Sequence, residues 1–223
     1  MNTKFEGIKV LQPENGYRFT QDSVLLSDFV ECNFNLPCID LGTGSGIIPL
    51  LLSKRCKGKK IFGIELNAGL CEIAKENVKL NGKEKEIQII HGNIKNIKDI
   101  FQPDSFDVVV TNPPYYSKDE GFISQNREKK MAKAEISMDL PLIFKISFYL
   151  LREKGNLYLI YPAKKLQSVF LMGRRFKFSP KKIRFVHYNI EREAELFLIK
   201  FGKLANEGLI VGPPVLIEEK KDL

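Results

Sequence analysis

Residues 39–46 read Ile-Asp-Leu-Gly-Thr-Gly-Ser-Gly, and this stretch indicates how the chain folds. It joins a short strand-like run to the apolar residues 47–52, which are typical of a buried helix. Glycines at such a junction let the chain turn tightly and let a ligand approach bare backbone, while the helix N-terminus offers unpaired N–H groups. Alone, the loop also fits a tight turn without a ligand. An NAD fingerprint would need glycine at position 47, where the chain has Ile47, so a dinucleotide is disfavoured.

Short apolar runs alternate with helical patterns along the rest of the chain. Helical patterns lie at about 20–30, at about 67–80, where Asn67 can cap the helix, and at about 138–152. This alternation predicts an α/β fold with a mostly parallel seven-stranded sheet and helices on both faces. The last two strands are too close in sequence for a crossover helix, so we expect them to be antiparallel. The predicted strands are 38–41, 60–65, 86–91, 106–111, 156–161, 181–187 and 195–201.

The composition is that of an ordinary globular domain. The 223 residues contain no linker-like segment, so we expect a single domain over residues 1–223. The chain has neither an apolar run of roughly 20 residues, as a membrane span requires, nor a signal-peptide core, and we expect a cytoplasmic protein with no membrane partner. The cysteines form no CxxC pair and histidines are scarce, so we expect no metal site. We predict free thiols in a reducing compartment, with Cys38 and Cys71 in the core. The four cysteines are Cys32, Cys38, Cys56 and Cys71.

Positive charge is concentrated in one stretch. Residues 164–184 carry eight basic and no acidic side chains, which equals the formal charge of +8 of the whole chain. A charge run is usually a solvated surface. Because Phe170, Phe176 and Phe178 are interleaved with these charges, a surface for a polyanion is an equal alternative. The residues predicted to bind such a substrate are Lys164, Lys165, Arg174, Arg175 and Lys177.

Polar residues follow the next two strands of the predicted sheet. Glu65 ends the second strand, about twenty residues beyond the glycine loop, where a carboxylate can accept hydrogen bonds from both ribose hydroxyls. Asn93 follows the third strand, next to His91, which we expect to be structural. With the Asp-x-Gly-x-Gly-x-Gly loop, this pattern resembles the S-adenosylmethionine (SAM) pocket of class I methyltransferases, whose fold is Rossmann-like. The family usually has Asp where this chain has Asn93, which keeps an acceptor oxygen without the charge. The resemblance implies SAM bound by Asp40, Gly42, Gly44, Gly46, Glu65, Leu66, Asn93 and Asn112.

Residues 111–116, Thr-Asn-Pro-Pro-Tyr-Tyr, follow the fourth strand immediately. Ligands of open α/β sheets bind beyond the carboxyl ends of strands, so Asn112 is expected beside the methyl donor. An amino group conjugated to a ring is a poor nucleophile because its lone pair is delocalised. The Asn112 side-chain oxygen and the Pro113 carbonyl can each accept one of its hydrogens and so aim the lone pair at the methyl group. Tyr115 offers a flat face for an unstacked base, worth roughly 1–3 kcal/mol. We predict Asn112, Pro113 and Tyr115 as catalytic and Tyr115 and Tyr116 as substrate-binding.

The motif is similar to that of amino methyltransferases that act on adenine N6, cytosine N4 or glutamine amides. Residues 16–26, Gly-Tyr-Arg-Phe-Thr-Gln-Asp-Ser-Val-Leu-Leu, narrow the choice. Together with the glycine loop and residues 112–116, they resemble the bacterial tRNA (adenine-N6) methyltransferases that modify the adenine beside the anticodon of a valine tRNA. The likeness covers most of the chain. It implies a tRNA partner and a monomer, and it assigns Arg18 to cofactor binding within an N-terminal segment, residues 1–36, that flanks the pocket.

Two other functions stay open. Protein glutamine methyltransferases resemble this chain in Asn-Pro-Pro-Tyr but carry a helical domain ahead of the glycine loop, where about 40 residues stand here. A noncatalytic RNA-binding scaffold would show a damaged Asn112 or glycine loop, and both are intact. One block departs from the tRNA methyltransferases: residues 132–135 read Ala-Lys-Ala-Glu where the family often has Ala-Arg-His-Glu. We therefore do not assign to residues 132–135 the RNA contacts that this block makes in the family.

Overall fold

The computed structural model describes residues 2–5, 7–12, 21–114 and 138–217. Its strands are β1 (Asn2–Phe5), β2 (Ile8–Leu11), β3 (Cys38–Leu41), β4 (Ile61–Glu65), β5 (Ile87–His91), β6 (Phe106–Thr111), β7 (Leu151–Pro162), β8 (Phe178–His187), β9 (Leu196–Lys203), β10 (Ile210–Val211) and β11 (Val215–Leu216). Its α-helices are α1 (Gln21–Phe29), α2 (Ile47–Arg55), α3 (Ala68–Leu80), α4 (Leu140–Leu150) and α5 (Leu166–Arg175), and 3₁₀ turns cover Ile94–Asp99 and Ala163–Lys165.

The main sheet contains all seven strands that the sequence predicts. Its order is β10-β8-β9-β7-β6-β3-β4-β5, and β11 also pairs with β8. Strands β3 to β7 are parallel to their neighbours in this set, and β9 is antiparallel to both β7 and β8. The predicted mostly parallel sheet and the antiparallel pair at its end are therefore confirmed. Strands β1 and β2 form a separate antiparallel hairpin.

The junction between α4 and β7 differs from the prediction. The helix ends at Leu150 and the strand begins at once at Leu151, five residues before the predicted start at 156. Both Leu151 and Asn156 pair with β6, and the register shifts between them. The intervening residues 152–154 are Arg-Glu-Lys, so no apolar run marked this bulged part of the strand.

The predicted ends of α3 and the predicted start of α4 agree with the structure to within two residues, whereas α5 was not predicted from the sequence. The Asn67 side chain accepts a hydrogen bond from the Leu70 N–H at 3.0 Å at the start of α3, and Gly82, with φ +62°, follows its end. Asp139 caps α4 in the same way through the Leu142 N–H. The longest described α-helix, α3, has 13 residues. Among the residues described, no helix is both long and apolar enough to cross a bilayer.

Two hydrophobic cores cover the two faces of the sheet, as the near-continuous apolar strands predict. Side chains alternate along β6, with Val108 and Val110 in one core and Val109 in the other. The first core also receives α1 and α2, represented by Leu26 and Leu52. The second receives α4 and α5, and it contains most of the aromatic ring contacts. The sheet is thereby held between two helical layers, and its carboxyl edge is left for the site.

The cysteine prediction is half right. Cys38 and Cys71 are free and fully buried, which confirms their place in the core. Cys32 and Cys56, predicted as free thiols, instead form a disulfide. The turn after α1 and the end of α2 bring their Cα atoms within 5.1 Å although they are 24 residues apart in sequence. The two cysteines come together because α1 and α2 pack against each other, and the spacing of cysteines along the sequence does not indicate that packing.

Candidate active site

A cavity of about 540 Å³ lies beyond the carboxyl ends of β3, β4, β5 and β6. This volume is within the range of roughly 300–1,000 Å³ that small-molecule sites occupy. The predicted site residues that line it are Gly42, Gly44, Glu65, Leu66, Asn93 and Asn112. A second cavity, of about 450 Å³, lies among the ends of α1 and α2 and β8, and none of the predicted site residues lines it.

Glu65 links the glycine loop to the end of β4. One carboxylate oxygen accepts a hydrogen bond from the Gly44 N–H and the other accepts one from the Asn67 N–H, both at 2.8 Å. Glu65 is 9% exposed and lines the cavity. Because each carboxylate oxygen can accept more than one hydrogen bond, acceptor capacity remains for a ligand. One of the loop N–H groups that the sequence offered to a ligand is thus used by the protein itself.

Two of the loop glycines have a positive φ, which favours glycine, and each lies close to a neighbouring side chain. Gly42 has φ +74°, and a Cβ atom there would stand 2.7 Å from the Met138 methyl carbon. Gly46 has φ +80° at the start of α2, and a Cβ atom there would stand 3.1 Å from the Ala74 Cβ. Gly42 lines the cavity, whereas Gly46 packs α2 against α3. The tight turn predicted for this loop is therefore present, and the close approach of Gly46 to Ala74 is an additional finding.

Asp40 lies beneath the loop, within β3. It is fully buried and is not among the residues that line the cavity. Burial raises the pKa of the Asp40 carboxyl to about 7, and the charge of Glu65 acts in the same direction, while the Thr43 hydroxyl opposes the rise. From this buried position Asp40 interacts electrostatically with the glycine loop and Glu65 without lining the cavity. Its predicted contact with a cofactor stays a prediction.

Asn93 reaches the cavity edge as the sequence predicts, but its side chain also has a local role. Its Oδ1 atom accepts a hydrogen bond from the Lys95 N–H at 2.9 Å and so caps the 3₁₀ turn that follows β5. Nearby, the His91 ring contacts the Leu66 carbonyl at 3.0 Å, in agreement with a structural role. Within the described residues, no group of three or more His, Cys, Asp or Glu side chains could hold a metal ion.

The reaction loop begins at the end of β6, next to the glycine loop. The Thr111 hydroxyl donates a hydrogen bond to the Leu41 carbonyl at 2.9 Å and ties β6 to β3. The next residue, Asn112, lines the cavity, and its amide nitrogen donates to the Ser23 hydroxyl oxygen of α1 at 3.2 Å. Pro113 is buried and Pro114 lines the cavity. Arg18, Tyr115 and Tyr116 lie outside the described residues.

The basic stretch 164–184 divides between two edges of the sheet. Lys164 and Lys165 follow the carboxyl end of β7, the strand next to β6, so they lie at the edge that carries the cavity. Arg174 and Arg175 end α5, which runs back across the sheet, and Lys177 precedes β8 at the opposite edge. These five side chains are exposed. The remaining three of the eight bind within the chain: Lys181 to the Asn206 carbonyl, Lys182 to Glu31 and Arg184 to the Pro213 carbonyl.

Sequence reasoning missed several residues of the site. Met138 and Leu142 close one side of the cavity from the start of α4, and Ile94 adds an apolar wall after Asn93. Ser23, on α1, contacts Asn112 across 89 residues of sequence. Ile94 could have been predicted, because it directly follows Asn93 at the edge of the sheet that carries the cavity. The resemblance placed residues 1–36 beside the pocket but indicated no contact of Ser23, and no local pattern indicated Met138, because both contacts depend on how α1 and α4 pack.

Known proteins resemble this chain in sequence and in fold. It is 26% identical over 202 residues to a tRNA1(Val) (adenine(37)-N6)-methyltransferase of Flavobacterium johnsoniae, covering 90% of this chain and 84% of that one. A protein of the same description from Flavobacterium psychrophilum is 25% identical, covering 89% and 84%. The crystal structure of a predicted O-methyltransferase from Agrobacterium tumefaciens superposes with a TM-score of 0.71 at 16% identity, covering 90% of this chain and 89% of that one. Residues 18–181 match the methyltransferase small domain, and the chain belongs to that family.

Proposed function

We propose that this protein transfers a methyl group from SAM to the exocyclic N6 of an adenine in tRNA, in the anticodon loop of a valine tRNA. One observation carries the proposal: Asn112 lines the same cavity as Gly44 and Glu65. The group needed to orient an amine and the groups suited to a nucleoside cofactor therefore meet at one place. The names of the Flavobacterium relatives support the tRNA adenine as substrate.

The cavity fits a nucleoside cofactor by its chemistry. Glu65 supplies carboxylate oxygens for ribose hydroxyls, Asn93 supplies an amide for the adenine edge, and Ile94 and Leu142 supply apolar surface for the flat ring. Bound SAM would supply a methyl group made electrophilic by its sulfonium sulfur. Asp40, beneath the loop, and Arg18, in the N-terminal segment, complete the proposed cofactor set. That segment, residues 1–36, would belong to one methyltransferase domain with the rest of the chain.

The protein's part in the reaction is to orient the acceptor. The Asn112 side-chain oxygen and the Pro113 carbonyl accept the two hydrogens of the adenine amine, which turns the nitrogen lone pair toward the methyl group. Held in this way, the nitrogen would take up the methyl group that bound SAM supplies, and the methylated amine would release one proton to water. Preorganisation of Asn112 is supported by the Thr111–Leu41 hydrogen bond immediately before it.

RNA recognition completes the proposal. The target adenine leaves its single-stranded loop and stacks on Tyr115 and Tyr116. Lys164 and Lys165 bind backbone phosphates at the edge of the sheet that carries the cavity. Arg174, Arg175 and Lys177, at the opposite edge, contact RNA only if the tRNA extends around the domain. We propose that the enzyme acts as a monomer in the cytoplasm, where tRNA is modified.

Methyl transfer from radiolabelled SAM to total RNA and total protein of a strain that lacks the gene tests the proposal. We expect label in RNA, and nucleoside mass spectrometry should identify it as N6-methyladenosine. The Asn112→Ala variant, which leaves the sequence of the glycine loop unchanged, serves as the background control once its Tm matches that of the wild type. Label in a protein band would identify a glutamine methyltransferase instead, and label in neither fraction would leave an RNA-binding scaffold.

A further inference from the structure

Ser23 links the N-terminal helix to the reaction loop. It lies in the first turn of α1 and is 4% exposed. Its hydroxyl oxygen accepts a hydrogen bond from the Asn112 amide nitrogen at 3.2 Å, and the two residues are 89 positions apart in sequence. Ser23 is not among the residues that line the cavity, so it reaches the site through Asn112.

The orientation of the Asn112 amide is not determined by its backbone alone. The terminal torsion of an asparagine side chain is broad, so a side chain with a fixed backbone still samples many amide orientations. Thr111 fixes the backbone just before Asn112 through its bond to the Leu41 carbonyl. The contact with Ser23 then holds the amide plane, and that plane sets the direction of the oxygen at the other end of the amide.

We propose that Ser23 is a positioning residue for methyl transfer, holding the Asn112 amide so that its oxygen meets the substrate amine. This inference rests on the proposed function, because it needs an amine acceptor at Asn112. Ser23 itself touches neither substrate nor cofactor. Its loss should therefore lower the rate of the bound complex and leave SAM binding unchanged.

Two substitutions separate positioning from packing. Ser23→Ala removes the hydroxyl, and Ser23→Cys nearly keeps the volume but replaces the oxygen with a weak sulfur acceptor. Ser27→Ala is the matched control, because Ser27 is a fully buried serine of the same helix whose hydroxyl donates a hydrogen bond to the Val24 carbonyl at 2.8 Å. The variants are compared by kcat and KM for tRNA, by SAM affinity from calorimetry and by Tm.

We expect kcat to fall roughly 3- to 10-fold in both Ser23 variants, the range for one lost hydrogen bond, with SAM affinity and KM within twofold of wild type. Ser27→Ala should keep the wild-type kcat. Recovery of kcat in Ser23→Cys would show a packing role and overturn the inference, as would losses of SAM affinity that match the loss of rate. Failure of the proposed function would appear earlier, as a wild-type protein that labels no RNA. If label then appears in protein, the Ser23 and Ser27 variants are compared with that protein as the substrate. If label appears in neither fraction, the inference about Ser23 is overturned as well.

Discussion

The Glu65 carboxylate accepts a hydrogen bond from the Gly44 N–H at 2.8 Å, so the acid at the end of β4 holds the glycine loop that follows β3. Its second oxygen accepts from the Asn67 N–H. From the sequence, the only role predicted for Glu65 is to accept hydrogen bonds from the ribose hydroxyls of the cofactor. In the structure the same side chain also fixes the turn on which the cofactor would lie, so binding and loop order depend on one residue.

Glu65→Gln should therefore weaken SAM binding strongly. Whichever way the new amide turns, its NH₂ group faces either the Gly44 or the Asn67 N–H, and a donor meets a donor. We expect SAM affinity to fall roughly 10- to 100-fold, the equivalent of a charged hydrogen bond. Glu72→Gln is the control, since Glu72 is an exposed acid of α3 paired with Lys75. Equal calorimetric affinity for the Glu65 variant and the wild type would contradict this role.

Asn112→Ala should lower the rate of transfer roughly 10²- to 10³-fold while SAM affinity stays within a few fold of wild type. The side chain orients the acceptor in the proposed mechanism, and loss of one preorganised group that acts in the transition state costs roughly 10²–10³ in rate. Radiolabel incorporation and calorimetry on the same preparation measure the two effects. A loss of SAM affinity as large as the loss of rate would show that Asn112 mainly binds the cofactor.

Asp40→Asn should change how stability depends on pH. Burial raises the pKa of Asp40 in the folded protein to about 7, above its ordinary value of 3.8. Between these values the unfolded chain ionises first, so the wild type loses stability as pH rises through this window. The neutral variant lacks this loss, and its advantage should grow by on the order of 4 kcal/mol from pH 4 to pH 8. Parallel curves of unfolding free energy against pH would contradict the shift.

Two pairs of basic residues test which edge of the sheet meets RNA. Lys164→Glu with Lys165→Glu and Arg174→Glu with Arg175→Glu change the charge equally at opposite edges. Each lost phosphate contact lowers the log–log salt slope of binding by roughly 0.7–0.9. We expect the lysine pair to flatten the slope more, because it lies at the edge that carries the cavity. An unchanged slope in the lysine variant would remove these residues from the RNA interface.

The disulfide between Cys32 and Cys56 should contribute to stability. Closing a loop of this length, with a separation of 24 residues, is worth about 3 kcal/mol in the chain-entropy description. Reductant should lower the Tm of the wild type and leave a Cys32→Ser, Cys56→Ser variant unchanged. Alkylation of the unfolded protein without reductant, followed by mass spectrometry, would contradict the bond if all four cysteines were modified.

The sequence by itself determined seven strands of the main sheet, the helices α1 to α4 and the edge of the sheet that carries the site, but not α5 or the short strands β1, β2, β10 and β11. Alternation of apolar runs with helical stripes, the glycine loop and caps such as Asn67 are local signals, and local backbone preferences act over a few residues. The rule that ligands bind beyond the carboxyl ends of parallel strands predicts one shared site for Glu65, Asn93 and Asn112, and the three residues line one cavity.

Only the tertiary structure decided which side chains hold those residues in place. Ser23 meets Asn112, Met138 covers Gly42, and Cys32 joins Cys56 because helices distant in sequence pack together. The basic stretch is a second example, since α5 takes Arg174, Arg175 and Lys177 to the edge of the sheet opposite the cavity. Contacts of this kind depend on the relative placement of packed elements, and a one-dimensional pattern does not contain that information.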